Sequence, residues 1–405
     1  MCRKKDCFIP VLFIIVFLLV ICIFTGMVLK YKTNIEKNTD FMKIQDVVSE
    51  KNMQIEKTAF VSELMTSMSL GEKIYQLFFV KPETIIESDP VVSAGEETSN
   101  ALAQYPVGGI IYFSENIQTR EQTIEMIKNS QDYSKIPLCI GVDEEGGTIA
   151  RIGNNVQMGT TKLPSMEKIG SSGDSRKAYE IGETLAADIG ELGFNVDFAP
   201  VADIIVNKKN TEIGDRSFGE DPELVSEMVI AEVKGLQENN VSAVLKHFPG
   251  HGSTVSNSHE GNSVSLRTLE ELEKAEFVPF REGIEAGADF VLVSHMTLVN
   301  ATKEKVPASL SGEVITGWLK GKLNYDGIVI TDALRMKAIS DDYSSAEAAV
   351  KTIKAGSDMI LMPENVYEAY NGIADAVENG DITEERIDSS VKKILNLKFE
   401  KGLLH

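Results

Sequence analysis

The chain has 405 residues, of which 43% are hydrophobic and 25% are charged, and its formal net charge is −21 at pH 7. This length leaves room for one large α/β domain or two ordinary ones, and the composition is that of a folded globular protein. The negative charge argues against non-specific binding to nucleic acid, so no nucleic-acid partner is expected.

The first predicted element is a membrane-spanning helix. Residues 8–29 form an uncharged apolar run, and about 20 helical residues suffice to cross the hydrocarbon core of a bilayer. Arg3, Lys4 and Lys5 precede the run, which favours a cytoplasmic N terminus over residues 1–7 and an extracellular catalytic part. The alternative is a cleavable signal peptide, which would lead to secretion. The run is longer than the usual signal core and no clear cleavage site follows it, so an uncleaved single-pass anchor is predicted.

A polar segment, residues 30–57, is predicted to be a stalk that connects the anchor to a globular part, residues 58–405. Of the four cysteines, only Cys139 belongs to this globular part. No disulfide can therefore form within it, and Cys139 is interpreted as a small buried hydrophobic residue.

After the stalk, apolar runs rich in β-forming residues alternate with amphipathic stretches of helical length. Eight continuous apolar strands separated by helices indicate a parallel sheet closed into a single (β/α)8 barrel of the TIM type. A doubly wound open sheet is the alternative, but the chain lacks the GxGxxG turn expected of it. The predicted strands are 76–80, 109–113, 138–142, 196–200, 243–247, 290–295, 327–331 and 359–362, and the main helical stretches are 117–133, 174–192, 222–238, 269–286 and 344–355.

Polar residues follow nearly every predicted strand, and the C-terminal ends of barrel strands meet at one face, so a polar pocket is expected there. Asp143 and Asp332 come directly after buried strands, although either could instead cap a helix. Arg151 and Arg216 would be costly to bury without anions or polar ligands. The other polar positions at strand ends include Asn116, Glu144, Glu145, Asp203, Asp215, Ser294, His295 and Glu364.

Residues 245–259 carry three of the five histidines, His247, His251 and His259, beside Lys246 at the end of the fifth predicted strand. Zinc binding is one interpretation of such a cluster. The spacing is not HExxH and no cysteine or carboxylate accompanies it, so no metal and no other cofactor is predicted. Carboxylates and arginines can bind sugar hydroxyls while a second carboxylate attacks the anomeric carbon, so the pocket suits a carbohydrate substrate.

These residues carry a resemblance to a known family. Residues 246–252 (Lys-His-Phe-Pro-Gly-His-Gly), followed by Ser258 and His259, resemble the signature of glycoside hydrolase family 3, and more narrowly its bacterial β-N-acetylglucosaminidase branch. The resemblance covers residues 58–403. Further motifs agree in order, among them residues 142–147 (Val-Asp-Glu-Glu-Gly-Gly), 198–203 (Phe-Ala-Pro-Val-Ala-Asp), 214–219 (Gly-Asp-Arg-Ser-Phe-Gly) and 330–334 (Ile-Thr-Asp-Ala-Leu).

The resemblance implies a retaining mechanism in which Asp332 is the nucleophile and His259 is the general acid/base. A histidine has an ordinary pKa near 6.5, so it can both donate and accept a proton near neutral pH. Five further residues match positions that bind the N-acetylglucosamine ring in this branch: Asp143, Arg151, Arg216, Lys246 and His247.

The chain departs from the branch at two positions. The branch usually has an aspartate two residues before the catalytic histidine, and this chain has Asn257. Because an asparagine supplies no charge to orient and stabilise a protonated imidazole, a lower pKa on His259 and slower catalysis are expected. Thr148 stands where family members often have arginine.

The sequence therefore predicts a monomeric β-N-acetylglucosaminidase that acts on terminal β-linked N-acetylglucosamine, such as that of peptidoglycan turnover. A β-glucosidase or β-xylosidase of the same family is one alternative. A catalytically weakened cell-wall-binding protein is another, and phosphate in place of water as the acceptor is a third.

Overall fold

The computed structural model describes residues 51, 53–86, 88–254, 261 and 263–404. The predicted membrane anchor, most of the stalk, and Asn257 and His259 lie outside these residues. The chain divides into two units, Met1–Phe60 and Val61–His405. Of the first unit the structure describes residue 51 and residues 53–60, which are helical. Within the described part of the chain, no helix has both the length and the apolar character needed to cross a bilayer.

Eight strands of the second unit form one parallel sheet. The first seven strands pair in chain order, each with the next, and the eighth strand pairs with the first. The predicted α/β barrel-like fold is thus confirmed. The strands are β1 (Phe78–Val80), β2 (Gly109–Ile111), β3 (Cys139–Val142), β4 (Val196–Asp197), β5 (Ser242–Phe248), β6 (Phe290–Val293), β7 (Ile328–Thr331) and β8 (Ile360–Leu361).

The sheet is nearly closed, and the seam lies between β7 and β8, where one isolated parallel bridge joins Ile330 to Met359. The backbone N–H groups of Asp358 and Met359 both donate to the carbonyl of Val329, at 2.7 and 2.9 Å. The Asp358 side chain, which is 1% exposed, accepts in turn from the backbone N–H of Val329 at 3.1 Å. A buried side chain therefore supplies part of the pairing that regular strand hydrogen bonds provide elsewhere.

Helices lie between most of the strands. Three of them begin with a capping box, in which a Ser or Thr and a Glu three residues later satisfy the first free N–H groups: Ser69 with Glu72, Thr268 with Glu271, and Ser344 with Glu347. A π-helix covers Glu313–Lys322. From Leu70 onward the α-helices are Leu70–Gln76, Glu96–Gln104, Arg120–Tyr133, Met166–Gly170, Ser175–Gly190, Pro222–Gln237, Leu269–Lys274, Phe277–Glu285, Lys337–Ser340, Ser345–Ala355, Val366–Glu378 and Glu384–Glu400.

The predicted helix 269–286 is wrong in one respect, because it is two helices that meet near Ala275, where φ is −131° and ψ is −75°. Pro279 explains the break. In a continuous helix its ring would clash with the carbonyl of Ala275, four residues earlier, so proline is tolerated only in a first helical turn. Pro279 occupies the third position of the second helix, Phe277–Glu285.

The barrel interior is filled by aromatic rings directly below the strand ends. Phe79 and Phe198 pack edge to face with their ring centroids 5.5 Å apart. A Cβ on Gly141 would come within 2.7 Å of Phe198 and 2.8 Å of Phe79, so β3 needs glycine here. Cys139 on the same strand is 2% exposed, as predicted. The floor under the strand ends is therefore apolar and rigid.

Candidate active site

A cavity of about 410 Å³ opens at the C-terminal ends of the barrel strands. It is lined by residues that end or follow most of the strands, as a barrel site requires. Six of the predicted site residues line it: Asp143, Arg151, Arg216, Lys246, His247 and Asp332. The positions of Asn257 and His259 are outside the described residues.

One wall of the cavity is a buried charge network centred on Lys246, which stands on β5. Its Nζ lies 2.8 Å from Oδ1 of Asp143 and 2.5 Å from Oε1 of Glu145. Glu145 also receives two hydrogen bonds from Arg216, both at 2.8 Å. Although burial opposes the charged form, the two carboxylates raise the pKa of Lys246. Burial likewise acts against ionisation of Glu145, but Arg216 and Lys246 hold its pKa well below the ordinary value.

The imidazole of His247 is fixed by groups on both sides. Its Nδ1 lies 2.7 Å from Oδ2 of Asp203, and its Nε2 lies 3.3 Å from Nη2 of Arg216. Because a guanidinium only donates, Nε2 accepts and the ring proton sits on Nδ1. Asp203 is fully buried and also accepts from the backbone N–H of His247 at 3.2 Å and of His251 at 2.5 Å. Burial favours its neutral form, but these partners keep the pKa of Asp203 below the ordinary value.

Asp332 follows β7 directly and its backbone N–H donates to the carbonyl of Val293 on β6, at 2.8 Å. Its Oδ1 accepts from the backbone N–H of Ala333 at 2.8 Å. Burial would raise the pKa of Asp332, yet the nearby His295 and His247 lower it below its usual value. His295 is held by Ser309 at 2.7 Å and by the carbonyl of Ala333 at 2.9 Å. The carboxylate is therefore ionised at neutral pH and fixed on rigid backbone.

The capping alternative for the two aspartates does not hold. The helix after Asp332 is Lys337–Ser340, and its N-cap is Met336. Asp143 is followed by a strand, Glu144–Gly146, that pairs antiparallel with Ile149–Ala150. This hairpin was not predicted, and it carries the chain from Asp143 back to Arg151.

Arg151 lies at the outer part of the cavity, with 25% of its side chain exposed. Its Nη2 is 3.4 Å from Oδ2 of Asp143, and its guanidinium carbon lies 5.7 Å from the centroid of the Phe113 ring. Among the described residues Nε of Arg151 has no hydrogen-bond partner. This buried N–H is thus an unsatisfied donor beside the cavity.

His251 does not line the cavity but packs behind it. Its ring is 5.8 Å from that of His247, and its Nδ1 lies 3.2 Å from the hydroxyl of Thr254. Burial lowers its pKa. Within the described ranges, no group of three or more His, Cys, Asp or Glu residues is arranged to hold a metal ion.

Two residues that organise the site, Glu145 and Asp203, appear in the sequence only as polar positions at strand ends. Glu145 neutralises Lys246 and Arg216, and Asp203 orients His247. Their partners come from other strands, so no local spacing reveals them. The sequence does mark both residues in another way, because each lies within a family motif: Glu145 in residues 142–147 and Asp203 in residues 198–203.

An α/β barrel with a charge-paired polar cavity at the strand ends is a common enzyme architecture. The chain matches the Glycosyl hydrolase family 3 N terminal domain over residues 69–397. It belongs to glycosyl hydrolase family 3, as the sequence motifs predicted.

Among its relatives is a protein from Pseudoalteromonas piscicida named Beta-hexosaminidase A, which is 31% identical over 372 residues, 84% of this chain and 62% of the relative. A Beta-hexosaminidase of Xylella fastidiosa (strain M23) is 33% identical over 276 residues, 66% of this chain and 80% of the relative. A solved family 3 β-N-acetylglucosaminidase from Paenibacillus sp. str. FPU-7 superposes with a TM-score of 0.78 at 37% identity, over 83% of this chain and 63% of that one. The chain thus spans less than two thirds of the first and third of these proteins.

Proposed function

We propose that this protein is a retaining β-N-acetylglucosaminidase that hydrolyses terminal β-linked N-acetylglucosamine, with peptidoglycan fragments as its substrates. The names of its relatives support the sugar, and the cavity supports the chemistry. The observation that carries the proposal is Asp332, an ionised carboxylate held by the backbone of β7 and β6 beside a wall of fixed donors. A retaining glycosidase requires such a nucleophile.

In the proposed reaction a carboxylate oxygen of Asp332 attacks the anomeric carbon while the bond to the leaving group breaks. His259, which lies outside the described residues, gives its proton to the departing oxygen. It then takes a proton from water, whose oxygen attacks the anomeric carbon and releases Asp332. We propose Asn257 as a modulator of catalysis, because its side chain supplies no charge to a protonated His259.

The sugar is proposed to bind through Asp143, Lys246, Arg151, Arg216 and His247. Asp143 and Lys246 already form an ion pair at 2.8 Å, so they present an acceptor and a donor without an unpaired buried charge. Hydroxyl groups of a sugar are both donors and acceptors, which suits such a pair. Because the network is fixed before the substrate arrives, little of its order has to be gained on binding.

The proposal is tested with aryl β-N-acetylglucosaminide and aryl β-glucoside. The wild type should hydrolyse the N-acetyl substrate, and Asp332→Asn should lower kcat by at least about 10³-fold, since the nucleophile is lost. Asp332→Gly supplied with azide should regain turnover and release the α-glycosyl azide. Asp342→Asn, an exposed aspartate ten positions further along the chain, is the matched control and should retain wild-type kcat.

Other outcomes would identify the alternatives. Turnover of the glucoside alone would indicate a β-glucosidase, and sugar 1-phosphate formed in phosphate buffer would indicate a phosphorylase. A folded protein that is silent on both substrates would favour a binding protein. Full activity of Asp332→Asn would remove Asp332 from the mechanism.

We also propose that residues 8–29 anchor the protein in the membrane with its catalytic part outside, and that it acts as a monomer. The support is the apolar run with its basic N-terminal flank.

A further inference from the structure

The carboxyl group of Glu144 lies behind the wall of the cavity. Glu144 begins the hairpin that follows Asp143 and is 4% exposed, and it is not one of the described residues that line the cavity. Both of its oxygens accept from backbone N–H groups of one short segment: Oε2 from Ile152 at 2.7 Å and Oε1 from Gly153 at 2.8 Å. These two residues directly follow Arg151, which is proposed to bind the sugar.

The side chain of Arg151 has little else to fix its position. Within the described part of the chain its one side-chain hydrogen bond is the contact of 3.4 Å with Asp143, and its buried Nε has no partner there. The position of the guanidinium therefore depends on the backbone from which it projects. Before Arg151 that backbone is fixed by the pairing of Ile149–Ala150 with Glu144–Gly146. After Arg151 it is fixed by the carboxyl group of Glu144.

The contact between Glu144 and this backbone is close. A Cβ on Gly153 would come within 2.9 Å of Oε1 of Glu144, so the carboxyl group occupies the space that a side chain would need. Ile152 is fully buried, and without Glu144 its N–H would be left without an acceptor away from water. Glu144 is itself fixed, because its backbone N–H donates to Oδ1 of Asp197 on β4 at 3.0 Å. Hydrogen bonds thus connect β4 to the backbone that carries Arg151.

We propose that Glu144 is a positioning residue, which holds Arg151 against the sugar although it does not touch the sugar itself. The inference rests on the proposed function, because that function assigns Arg151 to sugar binding. Asp143 is held independently of Glu144, since Lys246 on β5 contacts it at 2.8 Å. Loss of the Glu144 carboxyl group should therefore weaken binding through Arg151 and leave the nucleophile Asp332 in place.

The first test measures KM and kcat separately, with aryl β-N-acetylglucosaminide at pH 8. Burial raises the pKa of Glu144 to about 7, so at this pH the wild-type carboxyl group is mostly ionised and both oxygens can accept. In Glu144→Gln the amide nitrogen only donates, and it would face one of the two backbone N–H groups. KM should rise about tenfold, the result expected if the hairpin then holds Arg151 in place for about one tenth of the time.

The value of kcat should change by less than about twofold, because a contact that binds the ground state and the transition state alike affects KM alone. A general loosening of the barrel would lower kcat as well, since it would also displace Asp332. The comparison of KM with kcat therefore separates a positioning role from a merely structural one.

A double-variant cycle with Arg151→Gln tests whether Glu144 acts through Arg151. If it does, KM of the double variant should match that of Arg151→Gln to within about twofold, whereas independent effects would multiply. Glu115→Gln is the matched control. Glu115 is exposed, pairs with Lys81 at 2.8 Å and lies within electrostatic reach of Arg151, so this change removes a nearby negative charge without altering the hairpin. It should keep the wild-type KM.

A second variant keeps the carboxyl group and removes the space that it occupies. Gly153→Ala places a Cβ 2.9 Å from Oε1 of Glu144, so the carboxyl group has to move away from the two backbone N–H groups. This variant should raise KM as Glu144→Gln does, and the two changes together should not add. An unchanged KM in both variants, a kcat that falls as much as KM rises, or multiplicative effects in the cycle would overturn the inference.

Failure of the proposed function would give a different result. A wild type that hydrolyses no N-acetylglucosaminide would refute that function, and the same cycle would then be measured as Kd for N-acetylglucosamine by calorimetry. Losses of affinity that are coupled between Glu144 and Arg151 would still support the positioning role. Independent losses, or no binding by the wild type, would overturn it.

Discussion

Two buried glutamates near the base of the site show how partners decide the protonation of a residue. Glu145 contacts Arg216 and Lys246, and they hold it ionised despite its burial. Glu232, on the helix Pro222–Gln237, is equally buried. Among the described residues neither of its side-chain oxygens has a hydrogen-bond partner. Burial, reinforced by the charge of Glu145, raises the pKa of Glu232 to about 8. The same side chain is thus an anion in one place and an acid in the other.

The raised pKa of Glu232 predicts that the stability of the folded protein depends on pH. Its pKa is raised on folding from an ordinary 4.5 to about 8, so its contribution is fully present below pH 4.5 and is lost as the pH rises through 8. Over that window the loss is about 1.4 kcal/mol per pH unit. Glutamine cannot ionise. The free energy of unfolding of Glu232→Gln minus that of the wild type should therefore rise from pH 5 to 8 and then level off, as measured by urea denaturation.

The matched control for this experiment is Glu227→Gln, which changes an exposed glutamate on the same helix. Its difference from the wild type should stay flat with pH. Glutamine at position 232 also buries an amide, which shifts the whole curve by a constant, so the slope and not the offset is the readout. A flat difference for Glu232→Gln would mean that Glu232 is ionised in the folded protein.

At the scale of elements, the closure of the barrel depends on the cluster around Asp358. Its carboxylate lies 3.0 Å from Nζ of Lys320, accepts from Ser390 Oγ at 2.8 Å, and accepts from the Val329 backbone on β7 at 3.1 Å. Lys393 lies further away, at 3.8 Å. The cluster ties the π-helix and the last helix to the seam between β7 and β8, where regular pairing is sparse.

Asp358→Asn should therefore destabilise the protein by about 3–5 kcal/mol, the usual cost of removing one partner from a buried ion pair. Urea denaturation would measure the change. Asp326→Asn is the matched control, because Asp326 also pairs with Lys393, at 3.1 Å, but is fully exposed. It should have no measurable effect. Equal effects of the two substitutions would show that burial at the seam is unimportant.

The sequence predicted the elements well because each barrel strand is an apolar run that ends in a polar residue. All eight predicted strands are present, and the predicted helical stretch 344–355 contains the helix Ser345–Ala355. The break before Pro279 and the hairpin after Asp143 were not predicted. The break depends on a steric clash and the hairpin on strand pairing, and the spacing of hydrophobic residues reveals neither. For the same reason, local spacing identified Lys246 and Asp143 but not the partners Glu145 and Asp203, which come together only when the barrel closes.

For the whole molecule, a net charge of −21 has a consequence for substrate binding. A negative field repels anionic ligands at long range and is screened by salt. Binding of any anionic group on a substrate must therefore come from contacts at short range.

The division into Met1–Phe60 and Val61–His405 predicts that activity and membrane attachment can be separated. Among the residues that the structure describes, those that line the cavity all come from Ile111 onward. A chain that begins at Thr58 should thus keep the wild-type kcat/KM on aryl β-N-acetylglucosaminide, in buffer without detergent. The full chain should stay in the membrane pellet after an alkaline carbonate wash, because that treatment removes peripheral proteins but not spanning helices.

Substituting Val16→Lys and Leu19→Lys tests whether residues 8–29 are responsible. Each lysine near the centre of a membrane helix costs about 2.5–3.5 kcal/mol on insertion scales, so this variant should leave the pellet while its kcat/KM is unchanged. Release of the unmodified chain by carbonate alone would refute the spanning anchor. Retention of the chain from Thr58 in the pellet would instead place the membrane contact on the catalytic unit.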